Sequence, residues 1–71
     1  MKKLIVRWIG ANPSAEELQK FMRARGVSIT GATPTFDGDL LTFSCVPSSL
    51  PRVRALIDQL AFAGLAKYED A

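Results

Sequence analysis

Seventy-one residues leave no room for two hydrophobic cores, so residues 1–71 form a single domain or part of an obligate oligomer. Hydrophobic residues make up 48% and charged residues 23%, which excludes a disordered chain. One Cys excludes an intramolecular disulfide, and the lack of His removes imidazole acid–base chemistry and most transition-metal sites.

Nine Lys/Arg against seven Asp/Glu give a net charge of +2. That balance admits a nucleic acid or an acidic protein as partner and requires neither. No apolar run approaches the roughly 18–20 residues that cross a bilayer. Met1-Lys2-Lys3-Leu4-Ile5-Val6 resembles the start of a signal peptide, but Arg7 breaks the apolar run and no small-residue cleavage site follows. The segment reads as a strand, and the expected compartment is the cytoplasm, where a single thiol stays reduced.

Lys3 to Ile9 is β-branched and aromatic and ends in the turn Gly10-Ala11-Asn12-Pro13. Ser14-Ala15-Glu16-Glu17 is a capping box. Leu18, Phe21, Met22 and Arg25 then recur at helical spacing, Lys20, Arg23 and Arg25 suit the helix end, and Gly26 stops it. Val27 to Phe36 reads as extended, Asp37-Gly38 as a two-residue hairpin turn, and Leu40 to Val46 as the returning strand. That turn pairs Phe36 with Asp39, Pro34 with Leu41 and Ala32 with Phe43. One face then carries Ala32, Pro34, Phe36, Leu41, Phe43 and Cys45, a core face. The other carries Gly31, Thr33, Thr35, Leu40, Thr42 and Ser44, a solvated one. Pro34 belongs at a sheet edge. Ser49 is the expected N-cap of a second helix, with Pro51 in its first turn, Val53, Leu56, Ile57 and Leu60 on one face, and Gly64 at its end. Leu65 to Glu69 is a short last strand.

The order β-α-β-β-α-β predicts an α+β, ferredoxin-like two-layer sandwich: a four-stranded antiparallel sheet, strands one and three central, with both helices on one face. The expected core is Leu4, Val6, Trp8, Leu18, Phe21, Met22, Phe43, Val53, Leu56, Ile57 and Leu60.

Residues 3–26, with Lys3-Leu4-Ile5-Val6-Arg7-Trp8 and Ser14-Ala15-Glu16-Glu17-Leu18, resemble the opening βα unit of the RNA-recognition motif (RRM) family. That resemblance implies single-stranded RNA or DNA binding through stacking aromatics. The family's first-strand aromatic falls on Ile5, however. Its third-strand motif falls on Leu40 to Val46, where only Phe43 is aromatic and the pairing turns it into the core. A metallochaperone-like Cys-x-x-Cys or an acylphosphatase-like phosphate cradle would sit at residues 10–13, which read Gly-Ala-Asn-Pro.

Catalytic candidates are weaker than their structural readings. Asp37 and Asp39 flank Gly38 as turn residues without a third ligand. Cys45 has no nearby base and reads as a small buried apolar residue. No Ser sits in a G-x-S-x-G frame. The expectation is therefore a non-enzyme with no cofactor or metal. Arg52 and Arg54 oppose the dipole of the second helix. They read as a site for an anion or an acidic partner, or else as partners of Glu16, Glu17 and Asp58. Ile5, Arg7, Ile9 and Thr42 share the open sheet face. Phe62 lies off the apolar stripe of its helix, either folded under the helix end or contacting another chain.

The leading expectation is a small protein-binding module, an adaptor or inhibitor. In size it is similar to phage- or mobile-element-encoded inhibitors such as anti-CRISPR proteins. It would bind through Ile5, Arg7, Ile9 and Thr42 or through Arg52, Arg54 and Phe62, with self-association as a variant.

Overall fold

The computed structural model describes residues 1–68. Its elements are β1 (Lys2–Trp8), α1 (Ala15–Ala24), β2 (Ala32–Asp37), β3 (Leu40–Cys45), a 3-10 turn (Pro47–Ser49), α2 (Leu50–Phe62) and β4 (Ala66–Tyr68). The expected end of the last strand, Glu69, lies outside the described residues. The four strands form one antiparallel sheet in the order β2-β3-β1-β4, with β1 and β3 central. This is the expected α+β, ferredoxin-like two-layer sandwich.

The start of α1 and the ends of both helices are bounded as the sequence dictates. Ser14 Oγ accepts the Glu17 amide at 3.3 Å and caps α1. The other half of the box is replaced by a surface pair, because Glu17 meets Lys20 at 3.7 Å. Both helices close in the same way. Gly26 and Gly64 take left-handed φ values of 66° and 76°. Their amides donate to Arg23 and Ala61, and the next amides, of Val27 and Leu65, donate back to Met22 and Leu60. Such paired bonds consume carbonyls that would otherwise be orphaned at the helix end.

The start of α2 departs from expectation. Ser49 occupies the N-cap position but does not cap. Its hydroxyl donates to the Thr30 carbonyl at 2.6 Å, pinning the chain before β2 to the chain before α2. The 3-10 turn Pro47–Ser49 leads into the helix instead.

The hairpin register also shifts. Phe36 pairs with Leu41, Pro34 with Phe43 and Ala32 with Cys45, two residues from the expected partners. The two-residue turn is Gly38-Asp39. Gly38 has φ 62°, whereas neither Asp37 nor Asp39 has positive φ. A turn centred on Asp37-Gly38 would need positive φ at both positions, and a Gly-first turn needs it only at the glycine. A shift of two preserves side-chain parity, so the core and solvated faces stay as expected. Residues 27–31 are not strand. Val27 and Ile29 instead pack half-buried against the core from a loop.

The core joins Val6, Trp8, Leu41, Phe43 and Cys45 of the sheet to Leu18 of α1 and Val53, Leu56, Ile57 and Leu60 of α2. Both helices therefore cover one sheet face. Trp8 meets Phe36 edge-on at 5.8 Å and donates from Nε1 to the Ala11 carbonyl at 3.2 Å. Phe21 and Met22 are half-buried at the margin, where the Arg25 guanidinium lies 4.4 Å above the Phe21 ring. Among the described residues, no helix is long and apolar enough to cross a membrane.

Candidate protein-binding surface

The structure separates the predicted binding residues into two surfaces. Ile5, Arg7, Ile9 and Thr42 belong to the sheet face away from the helices. Arg52, Arg54 and Phe62 belong to the opposite layer.

The open face is built in rows by strand register. Lys3, Ser44 and Thr33 form one row, and Ile5, Thr42 and Thr35 the next. Lys67, Arg7, Leu40 and Asp37 form the third. Ile5 and Ile9 are 44% and 53% exposed, so apolar surface interrupts a hydroxyl-rich face. Arg7 does not project freely, because its Nη1 binds Asp39 Oδ2 at 2.8 Å. The two aromatic rings of β1 and β3 lie on the other side of the sheet. Trp8 is 4% exposed and Phe43 2%.

On the helix layer, Arg52, Ala55, Gln59 and Phe62 follow one another at three- and four-residue spacing and so share a face of α2. Phe62 is 96% exposed, which excludes its folding under the helix end. About 15 Å of helix separates Arg52 from Phe62, at ~1.5 Å per residue. Beside this stripe runs an open groove between α2 and the loop after α1, lined by Val27, Ile29, Arg52, Ala55, Leu56 and Gln59. Sequence reasoning missed Val27 and Ile29 as surface-lining residues. Their alternation with polar residues resembles a strand, and only the left-handed glycines at 26 and 31 mark the segment as a loop.

Arg54 points along a different flank. It acts electrostatically on Tyr68, whose hydroxyl donates to Asp58 Oδ1 at 3.4 Å. Among the described residues neither Arg52 nor Arg54 forms an ion pair with Glu16, Glu17 or Asp58, one of the two readings that the sequence left open. Both guanidiniums are exposed in a first turn that holds no acidic residue. Cys45 is fully buried, and Asp37 and Asp39 flank Gly38 at the hairpin tip. Among the described residues, no three Cys, Asp or Glu side chains gather as a metal-binding group. Compared with known proteins, the chain matches no family model, no curated protein and no solved structure.

Proposed function

We propose that the protein is a non-enzymatic protein-binding module, an adaptor or inhibitor acting in the cytoplasm, that docks through the outer stripe of α2. The observation that carries this reading is Phe62, 96% exposed on a helix whose opposite face is fully buried. Burying a phenyl ring in a partner recovers about 1.5–3 kcal/mol that the isolated domain forgoes, and exposed aromatics of this kind serve as interface anchors. Arg52, at the other end of the stripe, favours a partner with an acidic rim beside an apolar pocket. Val27 and Ile29 add apolar area to the groove beside Arg52, Ala55 and Gln59 of the same stripe.

The RRM resemblance leaves single-stranded RNA or DNA binding as the runner-up. Base stacking needs exposed rings on the sheet, and burial of Trp8 and Phe43 weighs against it. One experiment separates the two readings. The protein is passed over its host's proteins and over single-stranded RNA and DNA at ~50 mM salt, and a captured protein is then titrated directly. The proposal expects a stoichiometric protein complex, lost in Phe62→Asp and weakened in Arg52→Glu, with unchanged thermal unfolding of both variants. Retention on nucleic acid with a steep salt dependence, unaffected by Phe62→Asp, would reverse the ranking.

A further inference from the structure

The open sheet face has a charge polarity that the α2 surface does not use. Its β4–β1 half carries Lys67, Arg7 and Lys3. Its β3–β2 half carries Thr42, Ser44, Thr33 and Thr35 and ends at Asp37. Asp39, at the adjoining hairpin tip, already holds Arg7. Among the described residues, Lys67 and Asp37 take part in no ion pair and both are exposed.

We infer that this face binds a second copy of the chain around a two-fold axis that runs along the strands between β1 and β3. Such an axis lays β1 of one copy over β3 of the other, and β4 over β2. Ile5 then faces Thr42, Arg7 faces Leu40, and Lys67 faces Asp37, twice by symmetry. The alternative two-fold, across the strands, lays Lys3 over Arg7 and sets like charges together. The charge pattern therefore selects one operator and one partner. Aligned sheets pack about 30° from parallel and about 10 Å apart, an offset that the four-methylene stem of Lys67 can span. The four strands offer about 20 by 20 Å of sheet per copy, about 800 Å² over both copies. That is below the roughly 1,200 Å² of a stable specific interface, so the dimer is weak and forms with concentration. Dimerisation leaves α2 outward and presents two Phe62 anchors on one particle, which raises avidity for a repeated partner.

Sedimentation equilibrium from about 10 µM to about 1 mM tests this, the span in which a weak dimer assembles. The average mass should rise from the 7.7 kDa of one chain toward twice that, and rise less at high salt. Lys67→Glu and Asp37→Lys should each weaken association about tenfold. An equimolar mixture of the two variants should associate again, as should the double variant, because each restores opposite charges across the axis. That rescue excludes misfolding as the cause of either loss. Phe62→Asp should leave the dimer intact, so the sheet and helix surfaces fail or stand separately. A mass of one chain at every concentration, or no rescue in the mixture, overturns the inference.

Discussion

Arg7 Nη1 and Asp39 Oδ2 stand 2.8 Å apart, so the tip of the β2–β3 hairpin is tied to the neighbouring central strand. The same turn residue also makes a backbone bond, its carbonyl accepting the Trp8 amide at 2.7 Å. The two ties differ in worth. Both charged side chains are at least a third exposed, and such surface pairs contribute about 0–1 kcal/mol, screened by salt. Asp39→Asn keeps the backbone bond and should cost less than about 1 kcal/mol in chemical unfolding, a loss that fades at high salt. Gly38→Ala should cost more, about 1–2 kcal/mol, because φ is 62° there although a Cβ would meet no atom within 4 Å. An Asp39→Asn cost as large as that of Gly38→Ala would mean that the ion pair holds the hairpin as strongly as the turn does.

Gly31 is the more constrained glycine. Its φ is 76°, and a Cβ built there would stand 2.8 Å from Val46 Cγ2 and 3.0 Å from Ser49 Oγ. Ser49 cannot yield without weakening its bond to Thr30. Gly31→Ala should therefore destabilise the fold beyond Gly38→Ala, by about 2–4 kcal/mol, combining left-handed strain with overpacking. Val46→Ala removes the nearer atom and should restore part of the loss in the double variant. A double variant no more stable than Gly31→Ala alone would assign the whole cost to the backbone.

What was legible in the sequence follows from how local each signal is. Ser14, Gly26 and Gly64 act within one turn of chain, and each bounds its helix as expected. The core face of the hairpin survived an incorrect register because parity, set by alternation, is indifferent to a shift of two. The register itself depended on whether Asp37 or Asp39 joined Gly38 in the turn, a choice made by φ angles and by the Trp8 amide reaching Asp39 from another strand. Ser49 shows the same limit. Its sequence neighbours mark a cap, yet its partner, Thr30, is brought near only by the fold. The candidate surface was legible as single residues, with Phe62 and Ile5 standing out as apolar side chains off the core stripe. The groove beside α2 was not, because Val27 and Ile29 come from a loop remote in sequence from Arg52 and Gln59.

Pro34 lies on β2, at an edge of the sheet. The pair flanking a two-residue turn exchanges hydrogen bonds, and the pattern alternates from there. Asp37, Thr35 and Thr33 therefore bond toward β3, whereas the backbone of Phe36, Pro34 and Ala32 faces outward. The missing N–H of Pro34 costs no ladder bond and removes the middle donor from the exposed edge. Pro34→Thr supplies that donor in a residue that favours strands. The variant should fold normally but form higher-order, thioflavin-positive species on incubation, because an unblocked edge templates strand addition. Unchanged behaviour would show that the edge is protected by other means.

Tyr68 reports on the flank of α2 away from the groove. Burial raises its pKa above the ordinary 10.0. The Asp58 carboxylate and the hydrogen bond to it raise it further, while the Arg54 guanidinium opposes both. The raised value means that the fold favours the neutral phenol. The corresponding stability is fully present below the unfolded pKa of 10.0 and is lost as pH rises through the higher folded value. Asp58→Asn should lower the Tyr68 pKa toward its ordinary value, and Arg54→Gln should raise it further, both read from tyrosinate absorbance in a spectrophotometric titration. Shifts of opposite sign in the two variants identify Arg54 and Asp58 as competing neighbours of one hydroxyl. Shifts of the same sign, or none, would place Arg54 too far from β4 to act on it. The first outcome also sets Arg54 beside Tyr68, on the flank of α2 away from the groove that Arg52 lines.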